Sequence, residues 1–187
     1  MRADGINWSA HARVEKWTRD QVAEVAAATG IANPSGDLLA RYFAPEVTER
    51  SGNLLTTAGL TRLTSLATAA GGQGMSNTAT RLGVGDSSTA ATIADTDLAA
   101  AAGSTHRYFM TMDATYPQTS AGVMTFKATF ASADGNFAWN EWCVDIGTPT
   151  VAAGTTVNGC MVNRKVASLG TKASGAVWAF TATITIS

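Results

Sequence analysis

The residues with the clearest catalytic potential lie in a short run that begins at Gly85. Asp86 and Ser87 follow Gly85 directly, and His106 lies further along the chain. A serine hydroxyl, activated by a histidine that a carboxylate orients, would form the nucleophilic set of a hydrolase. A nucleophile elbow also needs a glycine two residues after the serine, and none stands there. We therefore expect a loop at a strand end, in which Asp86 and Ser87 bind backbone groups.

Three aspartates in the same region carry the oxygen atoms that calcium prefers. Asp86, Asp95 and Asp97 nevertheless lack the glycine and the distal glutamate of an EF-hand loop. Asp97 and the alanines after it are instead typical of a helix start. The two histidines, His11 and His106, are too far apart in sequence to form a local metal motif. We expect neither a metal nor a cofactor.

A second set of carboxylates would suit the hydrolysis of sugars. Asp134, Glu141 and Asp145 lie near two tryptophans, and glycosidases use a pair of carboxylates across the scissile bond. Glu141 and Asp145 are four residues apart on one predicted strand, which places them on one face about 13 Å apart. That separation exceeds both glycosidase geometries, so the sequence predicts a protein that is not an enzyme.

Aromatic and basic residues are the candidates for binding a partner. Phe137, Trp139 and Trp142 are predicted on both faces of one strand. The core would cover one face, and an N-terminal arm, a neighbouring subunit or a glycan would cover the other. Arg164 and Lys165, with Lys172 nearby, form a small positive patch that is typical of a solvated loop edge and could also pair with a partner.

The two cysteines, Cys143 and Cys160, are too far apart for a CxxC motif and have no histidine nearby to complete a zinc set. We expect two reduced, partly buried thiols, because cysteine is often buried. A bridge between neighbouring strands stays open as the alternative, since pairing depends on geometry.

The composition argues against two classes of partner. Charged residues make up 14% of the 187-residue chain and the formal net charge is −1, so no strong field would attract nucleic acid or an anionic membrane. No run approaches the roughly 20 apolar residues of a membrane span, and the N-terminus has no secretory signal pattern. We expect synthesis in the cytoplasm and no contact with nucleic acid or membrane.

The elements before residue 80 are predicted to be helical. Residues 1–50 are charged and helix-like, with a capping box of Thr18 and Gln21, a stop at Gly30 and a second start at Asn33. We interpret them as a helical N-terminal arm that makes attachment or oligomer contacts. Residues 51–79 are predicted to form a further helix and a glycine-rich connector.

The pattern after residue 80 changes to period two, which predicts an antiparallel β-domain over residues 80–187. The fold class is therefore α+β, mainly β, with a sandwich or barrel-like domain behind the arm. The last strand is regular and uncharged, so it should be central in its sheet or paired with a partner. The predicted strands are 81–85, 107–112, 124–130, 137–146, 161–166 and 178–186.

Six short motifs in order resemble a family of tailed-bacteriophage virion proteins, over residues 52–187. Their members are described as capsid-associated, tail or fibre proteins, so the resemblance implies a place in the particle and no defined site. The motifs are Gly52-Asn53-Leu54-Leu55, Gly83-Val84-Gly85-Asp86-Ser87-Ser88-Thr89, Thr96-Asp97-Leu98, Phe137-Ala138-Trp139-Asn140-Glu141-Trp142, Asn163-Arg164-Lys165 and Leu169-Gly170-Thr171-Lys172.

The resemblance implies a structural protein on the exterior of the virion. We expect a decoration or minor capsid protein whose arm docks on the major capsid protein or another virion protein, and which forms a homo-oligomer such as a trimer. The alternative is a tail, fibre or connector protein that contacts host glycans. Trp8, Trp17, Tyr42 and Phe43 would anchor the arm, unless they fold back onto the β-domain.

Overall fold

The computed structural model describes residues 7–52, 54–147 and 159–187, and antiparallel β-sheet is their main secondary structure. Three helices and ten strands follow one another within these residues. They are β1 (Trp8–Trp17), α1 (Arg19–Thr29), α2 (Gly36–Leu39), β2 (Glu46–Ser51), β3 (Leu54–Leu55), α3 (Thr57–Ala67), β4 (Thr80–Gly85), β5 (Arg107–Thr111), β6 (Gln118–Ser120), β7 (Val123–Phe130), β8 (Ala138–Gly147), β9 (Gly159–Thr171) and β10 (Val177–Ile186).

The strands form two sheets of five, and this confirms the predicted α+β, mainly β class. The first sheet has the order β2-β1-β10-β7-β6, and the second has the order β3-β9-β8-β4-β5. Every described pairing is antiparallel. β10 is central, between β1 and β7, so its uncharged edges are satisfied within the chain and no partner is needed to cover them.

The main core lies between the two sheets. Alternate residues of β10 point into it, among them Phe180 and Ile184, as the period-two pattern predicted. Trp142 of the second sheet meets Phe180 edge to face, with ring centroids 5.6 Å apart. The aligned inner faces therefore bury the large apolar side chains of both sheets against each other.

The prediction of a helical arm over residues 1–50 is wrong for residues 8–17 and 46–50, and its first six residues lie outside the described residues. Residues 8–17 form β1, which pairs with β10 along its whole length, and residues 46–51 form the edge strand β2. Ala10, Ala12 and Val14 alternate with charged residues and are fully or nearly buried against the second sheet. The N-terminal segment is thus part of the sandwich, and the division at residues 50 and 79 does not separate structural units, since β3 pairs with β9.

The predicted helices inside these segments are largely confirmed. Thr18 and Gln21 form the capping box of α1, and Gly30 ends the helix in the left-handed conformation. α2 begins two residues later than predicted, because Ser35 and not Asn33 caps it. The helix expected after Asp97 does not form; the Asp97 carboxylate binds Arg107, and the amides of Ala99 and Ala100 donate to Glu141.

α1 and α2 cover the outer face of the first sheet, and α3 packs on the second sheet. Val25 of α1 and Leu39 of α2 pack with Trp17 on the first sheet. α3 lies on β9 of the second sheet so closely that a Cβ atom at Gly59 would be 2.2 Å from the Val162 carbonyl oxygen. Within the described residues, no helix has the length and apolar character needed to cross a membrane.

Candidate functional site

The polar residues that the sequence singled out converge under one segment, residues 86–106, which we call the strap. The strap joins β4 to β5 and contains no helix or strand. Its two ends meet, since the Asp86 amide donates to the His106 carbonyl at 3.0 Å. It then lies across the outer face of the second sheet, the face turned away from the first sheet, where Leu98 contacts Phe109 and Cys143.

Glu141 is the centre of this site. It lies on β8 with no exposed surface, and its carboxylate accepts hydrogen bonds from the backbone amides of Ala99 (3.2 Å) and Ala100 (2.7 Å) in the strap. Arg164 on the neighbouring strand β9 also donates to it, at 2.7 Å. A buried carboxylate needs partners of this kind, because its ionised form is otherwise strongly disfavoured.

Arg164 connects the sheet to the strap and is itself 1% exposed. Besides Glu141, it donates to Asp95 at 2.7 Å and to the Thr89 carbonyl at 2.8 Å, both in the strap. Burial opposes ionisation of Asp95, but hydrogen bonds from Thr92 and Arg164 outweigh it and lower the pKa of Asp95. Burial likewise opposes the charge of Arg164, yet its two carboxylate partners raise its pKa.

A second ion pair also holds the strap on the sheet. Arg107, at the start of β5, donates to Asp97 at 2.6 Å. The other Asp97 oxygen accepts from the amide of Leu98 at 2.9 Å. Asp95 and Asp97 therefore each bind one guanidinium of the sheet, and Leu98, next to Asp97, is buried against Phe109 and Cys143.

Two glycines of β4 make room for this arrangement. Gly83 and Gly85 point to the outer face, where Cys143 and Glu141 of the neighbouring strand also point. A Cβ at Gly83 would lie 2.7 Å from the Cys143 sulfur, and one at Gly85 would lie 2.5 Å from a Glu141 carboxylate oxygen. Glycine at these positions thus reflects close packing of side chains over the strand.

We expect Gly85→Ala to destabilise the fold by about 1–3 kcal/mol, because the new methyl group overlaps the Glu141 carboxylate and the Ala100 side chain. Urea unfolding followed by tryptophan fluorescence measures the change. Gly74→Ala is the matched control, since no atom lies within 4 Å of a Cβ there. Equal unfolding midpoints for the two variants would contradict the packing of Glu141 over Gly85.

Asp145 is the one carboxylate of this layer whose charge is poorly compensated. It is 4% exposed, and within the described ranges its Oδ1 atom accepts no hydrogen bond. Burial, opposed by the backbone amides of Ile146 and Cys160 and aided by Asp97, raises its pKa to about 7. Its cross-strand neighbour Arg81 donates to backbone carbonyls of Thr78 and Thr80.

The hydrolase set considered and rejected for Asp86, Ser87 and His106 is brought together only in part. His106 Nδ1 lies 2.7 Å from an Asp86 carboxylate oxygen, at an exposed position. The Ser87 hydroxyl instead donates to Thr89 at 3.1 Å. The Asp86 and His106 pair closes the base of the strap, which agrees with the expected structural role of this loop.

The calcium and glycosidase sets are not assembled. Asp86, Asp95 and Asp97 each bind a different basic residue, and no group of three metal-ligating side chains occurs in residues 7–52, 54–147 and 159–187. Asp134 accepts a hydrogen bond from the Tyr108 hydroxyl at 2.6 Å, whereas Glu141 binds the strap and Asp145 is buried opposite Arg81. These carboxylates face no common cleft.

One prediction about the aromatic residues in and next to β8 is wrong. Phe137, Trp139 and Trp142 all belong to the core between the sheets, so they do not lie on two faces. The pairing of β8 with β9 shifts register between Trp139 and Glu141, and this irregularity lets side chains three residues apart point the same way. Trp139 and Trp142 are fully buried and therefore offer no surface to a subunit or a glycan.

The basic patch predicted at residues 164–172 does not exist as a surface. Arg164 is bound in the site, and Lys172 is 1% exposed, where it donates to the Ala131 carbonyl and the Asn136 side chain at 2.8 Å each. Burial lowers the pKa of Lys172 to about 8. Lys165 is the half-buried member that remains near solvent.

The four aromatic residues expected to anchor an arm have different positions. Trp17 is 1% exposed in the helix-covered core, and its indole donates to the Phe43 carbonyl at 3.1 Å. Phe43 is half-buried beside it, and Trp8 is half-buried against the main core. The prediction of an anchoring surface is therefore wrong for Trp17, while Tyr42 is 51% exposed.

Cys143 and Cys160 are both free and buried, as expected.

Sequence reasoning missed that Glu141 is the centre of an ion cluster and that Gly83 and Gly85 make room for it. The alternating glycines of this strand are the signal that could have indicated the cluster.

Comparisons of the chain with protein-family models, with curated proteins and with solved structures find no match. The case for a function therefore rests on the residues themselves and their arrangement.

Proposed function

We propose that the chain is a structural component of a tailed-phage virion, a decoration or minor capsid protein that braces the shell from outside. The observation that carries the proposal is that residues from the motifs that resemble the virion family lie together in one charged layer of the structure. Gly85, Asp97, Glu141 and Arg164 come from four of those motifs, and all four belong to the charged layer that holds the strap on the sheet.

The contacts that these motif residues make favour a structural role over a catalytic one. The acidic and basic groups of the layer bind one another and the backbone of the strap, so they are not directed at a substrate. A virion protein present in many copies needs a rigid body, and a sandwich with an internal charged layer supplies one.

The contact with the shell is proposed at Tyr42, on the helix-covered side of the first sheet. Among the four aromatic residues predicted for this contact, Tyr42 has the most exposed side chain, and Ile31 on the same segment is 47% exposed. Exposed aromatic residues are frequent anchors at protein interfaces. The proposed partners are the major capsid protein or a second copy of this chain.

The test uses phage particles assembled without the protein and then supplied with it. Particles carrying the chain should hold tens to hundreds of copies by quantitative gel and should release their DNA at a higher temperature than bare particles. Tyr42→Ala should reduce the bound copies, whereas Leu60→Ala should not, because Leu60 is equally exposed at 51% but lies on α3 over the other sheet.

Two results would contradict the proposal. Bare and decorated particles with equal heat stability would remove the bracing role, and a handful of copies per particle would indicate the alternative, a tail or fibre protein. Contact with host glycans is not proposed, because the tryptophans expected to stack on sugars, Trp139 and Trp142, are buried.

A further inference from the structure

Lys172 is a buried lysine whose charge has no carboxylate partner. It is 1% exposed, and no ion pair reaches it among the described residues. Its Nζ atom instead donates to two neutral oxygen atoms, the Ala131 carbonyl and Asn136 Oδ1, at 2.8 Å each. A buried ammonium group is costly unless an opposite charge pairs with it. These surroundings therefore favour the neutral, nucleophilic form of the amine.

Two loops at one end of the sandwich bring Lys172 and Asn136 together. Lys172 directly follows β9, and Asn136 lies in the loop between β7 and β8. The Lys172 amide donates to the Phe137 carbonyl at 3.0 Å. Further along the same connection, the Gly175 amide donates to the Ser132 carbonyl at 3.0 Å. Backbone hydrogen bonds thus hold the two loops side by side, and the contact does not depend on the lysine side chain alone.

The side-chain amide of Asn136 is held with its carbonyl toward the lysine. Its Nδ2 atom donates to the Ser132 carbonyl at 3.0 Å, which leaves Oδ1 to accept from Lys172. The reverse orientation would place two donor groups against each other. A C=O bond is about 1.2 Å long, so Nζ lies at most about 4 Å from the amide carbon Cγ. That is close to the separation of about 3–3.5 Å from which such atoms react.

The amine of Lys172 has the protonation state that this reaction requires. Burial lowers the pKa of Lys172 to about 8, although the charge of Asp134 opposes the shift. About a tenth of the amine is then neutral at pH 7, whereas an exposed lysine ionises near pH 10. Asp134 binds the Tyr108 hydroxyl and the Ala131 amide and forms no ion pair with the lysine. The neutral amine keeps the lone pair that attack on a carbonyl carbon needs.

We propose that Lys172 and Asn136 form an isopeptide bond, which cross-links the loop before β8 to the end of β9. Lys172 Nζ attacks Asn136 Cγ, so that the Nζ–Cγ bond forms and the Cγ–Nδ2 bond breaks. The proton that the amine loses leaves with Nδ2 as ammonia, so the atoms balance and no co-reactant is needed. Asn136 is half-buried, so the ammonia can leave to solvent.

The cross-link closes a loop over residues 136–172, which contains both central strands β8 and β9. A closed loop restricts the unfolded chain and so favours the folded one. Both cysteines of the chain are free, and an amide bond, unlike a disulfide, does not depend on the redox conditions. The cross-link is a property of the isolated chain, so it is independent of the proposed contact with a shell.

Intact mass spectrometry of the full chain, under denaturing conditions, tests the proposal. The expected mass is lower than the sequence mass by one molecule of ammonia, about 17 Da. Peptide mapping should find residues 136 and 172 joined in one branched peptide. A chain with its full sequence mass would overturn the proposal.

Controls locate the loss of ammonia. Lys172→Met and Asn136→Ala should each have the full mass of their own sequences, whereas Lys165→Met, which changes a half-buried lysine of β9, should keep the loss. An asparagine that cyclises to a succinimide also loses ammonia, but that product hydrolyses in mild alkali and an isopeptide bond does not. A loss that persists in Lys172→Met, or that disappears in mild alkali, would overturn the proposal. The branched peptide is sought in the unsubstituted chain, so the result does not depend on how well the variants fold.

Discussion

Arg164→Met should cost about 3–5 kcal/mol of the free energy of unfolding, because it leaves two carboxylates of the charged layer without their cation. Methionine has a similar length and fills the apolar part of the site, so the loss reports the charge and the hydrogen bonds. Glu141 is fully buried and has no access to water in this structure, whereas Asp95 is half-buried and partly solvated. Guanidinium chloride unfolding, followed by circular dichroism, measures the effect.

Lys165→Met is the control for this variant. It removes one positive charge from the adjacent residue, but Lys165 is half-buried and has no ion pair within the described part of the chain. We expect a loss of about 1 kcal/mol or less. If both substitutions cost the same, the effect of Arg164 would be one of net charge and not of the buried pair.

A double variant separates the pair from its parts. In the Arg164→Met background, Glu141→Gln removes the unpaired buried charge while an oxygen still accepts from the Ala100 amide. The double variant should therefore be more stable than Arg164→Met alone. A double variant that loses the sum of the two single effects would show that Glu141 and Arg164 are not coupled.

The sequence predicted the strands in which apolar and polar residues clearly alternate. In β10, Phe180, Ala182 and Ile184 alternate with threonines, and the strand was predicted nearly to its ends. β1 was missed because its buried face consists of small residues, Ala10 and Ala12 among them, and its exposed face is charged. Its strand state depends on pairing with β10, at the opposite end of the chain.

The candidate site could not be predicted from local sequence patterns either, because its residues meet only in the tertiary structure. Glu141 and Arg164 meet across β8 and β9 only because of the register of those strands, which contains two irregularities. The strap partners Asp95 and Asp97 were noticed as acidic residues, but their guanidinium ligands are remote in sequence. Residue type thus indicated which residues matter, and only the tertiary structure shows what they bind.

Trp139→Ala should cost about 3–5 kcal/mol, since it removes the aromatic ring around which the main core is packed. The Trp139 ring lies 4.6 Å from the ring of Phe130 and 4.8 Å from that of Trp178, and all three are buried. Its indole also donates to the Gly135 carbonyl at 2.8 Å, so the substitution removes one of the two hydrogen bonds that this carbonyl accepts, the other being from the Phe137 amide. Thermal unfolding by calorimetry measures the loss.

Tyr42→Ala is the matched control, because it removes an aromatic ring that is 51% exposed. We expect a change of about 0.5 kcal/mol or less in the isolated protein. The two variants test whether Trp139 stabilises the core and whether Tyr42 lies on a surface that is free for contact. A large loss of stability from Tyr42→Ala would contradict the proposed position of the shell contact. A small loss from Trp139→Ala would contradict the role of Trp139 in the core.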